Sequence, residues 1–146
     1  MMEVNKMAEF TANAIQEVAL NQNVLFTDEP VCGNCSIIHR EGSGLVTLRG
    51  LTRQCRARFK VSFSGNIAIP TGGTVGPISL AIAANGESIN STNMIVTPAA
   101  VGEYFNVAGG VFLDVPAGCC TQISIRNTSV GAVDVQNANL IVERVA

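Results

Sequence analysis

From residue 56 to residue 64 apolar and polar positions alternate strictly. Ala57, Phe59, Val61 and Phe63 fall on one face of an extended strand, and Arg56, Arg58, Lys60 and Ser62 fall on the other. The same period of two runs through residues 78–82. Asn85-Gly86 then supplies two residues that tolerate positive φ, as a tight hairpin turn requires, and residues 89–96 are expected as the returning strand. Further short apolar runs at residues 24–27, 36–39, 45–49, 103–113, 120–126 and 133–143 bring the total to about nine strands. Pro70, Pro77, Pro98 and Pro116 all fall in the predicted gaps, where a missing N–H costs no ladder hydrogen bond. The pattern predicts an all-β chain: a two-sheet antiparallel sandwich of the jelly-roll kind over residues 21–146. The first twenty residues behave differently, since residues 7–20 fit a short helical stripe and an alternating strand equally well. Residues 1–20 are expected as an N-terminal arm that becomes ordered by attachment to a larger shell.

Composition adds an expectation about association. Of the 146 residues, 47% are hydrophobic and only 14% charged, against roughly a quarter charged in an ordinary soluble domain. A chain so poor in charge is expected to cover part of its surface with copies of itself or with a larger assembly. The net charge of -2 gives no attraction to nucleic acid or to an acidic membrane. No apolar run approaches the roughly 18 residues of a spanning helix. The opening Met1-Met2-Glu3-Val4-Asn5-Lys6 lacks a secretory pattern, so synthesis in the cytoplasm is expected.

Candidate chemistry is sparse. Cys32 and Cys35 form a C-x-x-C, and Cys119 and Cys120 are adjacent. Four thiolates could hold zinc, but neighbouring residues of a strand point to opposite faces, so Cys119 and Cys120 would not ligate one ion together. Buried thiols or cross-links formed in an oxidising space are the better expectation, and no metal or cofactor is assigned. His39 is the only histidine, and no G-x-S-x-G elbow, H-E-x-x-H pair, phosphate loop or dinucleotide fingerprint accompanies it. No catalytic residue is assigned, and the chain is read as non-enzymatic. Arg56, Arg58 and Lys60 are the one concentration of charge on a strand face, where they could meet acids of a neighbouring subunit or of a capsid. The segments at residues 72–77 and 108–110 are read as turns or bulges. The six phenylalanines, Phe10, Phe26, Phe59, Phe63, Phe105 and Phe112, are read as core.

Two resemblances add a setting. The closing Ala138-Asn139-Leu140-Ile141-Val142-Glu143-Arg144-Val145-Ala146, with residues 78–86 upstream, resembles the trimeric C-terminal domain of the collagen-like glycoprotein of Bacillus exosporium, a tumour-necrosis-factor-like jelly roll. No Gly-X-Y collagen repeat precedes it here. The resemblance implies a homotrimer whose last strand lies near the three-fold axis, with Leu140, Val142 and Val145 at the interface or in the core beneath it. Residues 10–14, 38–44 and 75–83 through to the end are similar to small proteins of gut Firmicutes and their phages. That likeness implies a subunit displayed on a virion surface, as a capsid decoration or head-fibre protein. The alternatives are a spore-surface or appendage subunit cross-linked through Cys32, Cys35, Cys119 and Cys120, and a glycan- or receptor-binding module.

Overall fold

A computed structural model describes residues 7–31, 37–39, 42–49, 56–116 and 120–145. Twelve strands lie among them: β1 (Met7–Ala12), β2 (Gln16–Val18), β3 (Asp28–Val31), β4 (Ile37–His39), β5 (Val46–Arg49), β6 (Arg56–Ala68), β7 (Ile78–Ala84), β8 (Glu87–Ser88), β9 (Met94–Val96), β10 (Phe105–Pro116), β11 (Cys120–Asn127) and β12 (Val133–Arg144). They form two six-stranded sheets. The first runs β10-β6-β12-β1-β3 with β2 also on β12; the second runs β4-β5-β11-β7-β8 with β9 also on β7. Every pairing among the named strands is antiparallel, and the order is that of a jelly roll, as the alternation predicted.

The core is the sum of the inward phases. From the first sheet Phe10, Phe59, Val61, Phe63, Ile67, Leu140 and Val142 meet Leu48, Leu80, Ile82, Ile123 and Ile125 of the second, all buried. Each such side chain contributes roughly 1.5–3 kcal/mol by leaving water. One irregularity keeps β12 in phase. Its register against β6 shifts between Gln136 and Asn139, and Asn137 sits there at φ 55°. The extra residue moves the buried set from Val133 and Val135 to Ala138, Leu140 and Val142, so both halves of the strand face the core. The Asn85-Gly86 turn has φ 51° and 84°, the two positive values expected of a type I′ hairpin.

The structure corrects four expectations. Residues 7–18 are not an arm. Pairing with β12 and β3 places β1 inside the first sheet, and Ala8, Phe10, Ala12 and Val18 are buried. Apolar burial on every second residue decides the ambiguity in favour of strand. Residues 24–27 are irregular, although Val24 and Phe26 are buried and Val24 N–H donates to the Ile125 carbonyl at 2.8 Å. The expected return over residues 89–96 is broken by a single 3₁₀ turn, Asn90–Thr92. There the Thr92 hydroxyl accepts from Ile82 N–H at 2.9 Å and donates to the Ile89 carbonyl at 2.7 Å, replacing ladder bonds. Pro116 lies within β10, opposite Arg56, which an edge strand tolerates. Among the described residues no helix is long and apolar enough to cross a membrane.

Candidate interaction face

Burying one phase of a strand commits the other phase to the outside. On β6 the inward Phe59, Val61 and Phe63 send Lys60, Ser62 and Ser64 outward. On β12 the inward Leu140 and Val142 send Ile141 outward. On β1 the inward Ala8 and Phe10 send Met7 and Glu9 outward. On β10 the outward residues include Ala108, Gly110, Phe112 and Asp114. Cross-strand register sets these in rows: Phe112, Lys60, Glu143 and Met7 in one; Gly110, Ser62, Ile141 and Glu9 in the next; Ala108, Ser64, Asn139 and Thr11 in the third.

The result is an uneven surface. Phe112 stands 60% exposed, Met7 46% and Ile141 36%. Beside them lies a hollow of about 390 Å³ lined by Ser62, Ser64, Ala108, Gly110, Asn139 and Ile141. The Gly109-Gly110 pair makes both the hollow and the edge behind it. A Cβ on Gly109 would come within 3.3 Å of Met94 Cγ and Sδ, so the missing side chain lets Met94 close the gap between the sheets. Gly110 faces the other way and leaves the outer surface recessed. The pair therefore belongs to a regular stretch of β10 register, not to the turn or bulge expected.

Charges on this face are largely paired within the chain. Arg58 Nε donates to Asp114 Oδ1 at 2.8 Å and Nη2 to Oδ2 at 3.3 Å, and the hydrogen bond and charge of Asp114 raise the Arg58 guanidinium further above its ordinary value. Lys60 stands opposite Glu143, and Asn139 Nδ2 donates to Glu9 Oε2 at 2.7 Å. At the far end of the sheet two acids meet instead. Glu17 and Asp134 face each other across β2 and β12. Burial and then the Glu17 charge raise the Asp134 carboxyl, and burial and then Asp134 raise the Tyr104 phenol. A second hollow of about 510 Å³ opens beside Glu17, between the loop over residues 69–78 and residues 130–132, with exposed Val75 and Val130 at its lips.

The residues singled out from sequence fall in different places. Leu140 and Val142 are buried in the sandwich core, whereas Val145 is 44% exposed and its N–H donates to the Arg58 carbonyl at 2.8 Å. Arg58 is engaged by Asp114 of its own chain, where the sequence suggested an acid on a partner. Lys60 is exposed on the face just described, and the Arg56 side chain lies outside the described atoms. Cys32, Cys35 and Cys119 lie outside the described residues, while Cys120 opens β11 at an exposed position opposite Arg49. Among the described residues no group of three or more His, Cys, Asp or Glu side chains could hold a metal. His39 packs against two core phenylalanines: its ring lies 4.6 Å from Phe10 and 6.4 Å from Phe26. Its Nε2 lies 2.8 Å from the Ser43 carbonyl oxygen, an acceptor, so Nε2 carries the proton.

Phe10, Phe26, Phe59 and Phe63 are core as expected, but Phe105 and Phe112 are exposed. The signal was available. Val107, Val111 and Leu113 share one phase of the strand and Phe112 the other, so a core reading of Phe112 conflicts with alternation.

No protein-family model and no curated protein matches the chain. Solved structures do. The globular domain of zebrafish complement 1qA protein superposes at a TM-score of 0.68 with 12% identity, over 97% of this chain and 98% of that one. Eiger TNF from S. frugiperda gives 0.70 at 11% identity, over 96% and 92%. Murine APRIL gives 0.63 at 9%, over 94% and 99%. The chain therefore has the jelly-roll fold of the TNF and C1q domains along nearly its whole length.

Proposed function

We propose that the chain is a non-enzymatic structural subunit that associates with its own copies as a homotrimer and is displayed on a larger particle, as a phage capsid decoration or head-fibre protein. The observation that carries self-association is the outer face of the first sheet, where Phe112, Ile141 and Met7 remain exposed around a recess on an otherwise small-residue, charge-compensated surface. Each 100 Å² of apolar area removed from water there contributes on the order of 2.5 kcal/mol before the costs of association. The trimer and the particle setting draw support from the likeness of residues 138–146 to the exosporium domain and of the wider chain to phage-borne proteins. The low charged content of the chain supports the same reading, since a subunit covered by neighbours needs fewer solvated groups.

The particle setting is tested by expressing a tagged chain in a phage-infected host and sedimenting the lysate through a density gradient. The tag should travel with the particles at a fixed copy ratio. A tag that stays wholly at the top of the gradient would refute the display role.

A further inference from the structure

We infer that copies of this chain meet through a knob and a hole carried side by side on one sheet: the Phe112 ring of one copy enters the recess over Gly110 of the next. This rests on the self-association proposed above and assigns its contact. Phe112 projects from the outer phase of β10 with 60% of its surface exposed. Two residues away on the same phase, Gly110 has no side chain, and its cross-strand neighbour is only Ser62. Ser62, Ser64 and Ala108 wall the recess with small groups, and Ile141 supplies an apolar flank. The recess of about 390 Å³ is roomier than a benzyl group, so the ring fits with part of its neighbouring strand.

A second copy is the occupant that the charges favour. Close to the knob, Arg58 and Asp114 form an ion pair at 2.8 Å on the same chain, and Lys60 and Glu143, of opposite sign, are cross-strand neighbours in register. Two basic and two acidic groups therefore offset one another, and Glu9 in the row of the recess has its carboxylate bonded by the Asn139 amide, so the face meets its own copy with less like-charge repulsion than a singly signed surface would impose. A protruding ring and a matching recess on one surface are also what self-association requires: each copy presents both halves of the contact. Burying an aromatic in a small-residue pocket is the usual form of an interface hot spot.

The chain contains no tryptophan, which makes the test direct. Wild type, Phe112→Ala and Ser64→Leu are compared by light scattering over a dilution series, with circular dichroism as a check of fold. Both side chains point outward, so the sandwich is left intact. Each variant should weaken association at least about tenfold, the first by removing the knob and the second by filling the hole. Separately, Phe112→Trp provides a single indole whose emission should shift to the blue as concentration rises through the association range. Wild type that associates while both variants associate equally well, with indole emission independent of concentration, would overturn the knob and hole and leave self-association standing. A wild type that remains one chain at all concentrations would overturn both. Emission that shifts only on adding host lysate would assign the pocket to another protein and overturn the self-contact.

Discussion

Phe10→Ala separates a strand from an arm. Phe10 is 1% exposed, stands opposite Leu140 in β12 and packs its ring 4.6 Å from His39. Truncating a buried phenylalanine removes its transfer free energy and leaves a void, about 3–5 kcal/mol together. That is a large part of the roughly 5–15 kcal/mol that holds a domain folded. With a urea m-value of about 2 kcal/mol/M for a chain of this size, the midpoint should fall by about 1.5–2.5 M. Fluorescence of an added reporter or circular dichroism follows the transition, at one fixed protein concentration because association of folded copies adds to apparent stability. Glu9→Ala, on the outer phase of the same strand, is the control. It loses one exposed-face hydrogen bond to Asn139 and should cost no more than about 1.5 kcal/mol. Were residues 7–12 a loose arm, Phe10→Ala would shift the midpoint by less than about 0.5 kcal/mol equivalent, and the placement of β1 in the sheet would be refuted.

The other perturbations follow from local geometry. Burial, and then Glu17 facing it across the strand pair, raise the Asp134 carboxyl, so the folded state holds its proton more tightly than the unfolded chain does. The ionised group therefore destabilises above the folded pKa, and that penalty fades as pH falls through the folded value and is gone below the unfolded one. Asp134→Asn should raise the thermal midpoint near neutral pH, by a few tenths to about 1 kcal/mol in stability, and lose its advantage near pH 3; equal gains at both pH values would contradict a carboxyl raised by burial and by Glu17. Asn137, at φ 55°, should tolerate glycine but lose about 1–2 kcal/mol as alanine, read from denaturation midpoints. Equal stability of the two variants would show that the β12 bulge does not depend on the left-handed residue.

How far the sequence reveals the fold depends on how one-sided each strand is. The run from Ala57 to Phe63 alternates without a fault, because β6 sits centrally in its sheet with one phase in the core and the other outside, and it is legible at once. Asn85-Gly86 is equally plain because few residue pairs tolerate two positive φ values. Residues 7–18 are harder, since small alanines at Ala8 and Ala12 carry little hydrophobic signal even when fully buried. β3 is invisible as a pattern: Asp28-Glu29-Pro30-Val31 lacks apolar alternation and joins its sheet only through β1. On the outer face of the first sheet, alternation alone already placed Arg58 and Lys60 on one side of their strand, as the structure has them. It did not distinguish the buried Leu140 and Val142 from the outward Ile141, because the parity of β12 changes at Asn137 and only the three-dimensional register shows by how much. Gly109-Gly110 resembles a turn until Met94 is seen beneath the first glycine and the Val61 carbonyl and Ser62 hydroxyl, at 3.2 and 3.4 Å from where a Cβ would stand, beside the second.

Self-association is tested most directly by the mass of the purified chain in solution, measured by light scattering with and without reductant. The account predicts a mass of three chains that is unchanged by reductant, because it assigns the cohesion to non-covalent burial of the outer face of the first sheet. A mass of one chain under both conditions would contradict it. A larger species that collapses to single chains on reduction would place the cohesion in the cysteines instead.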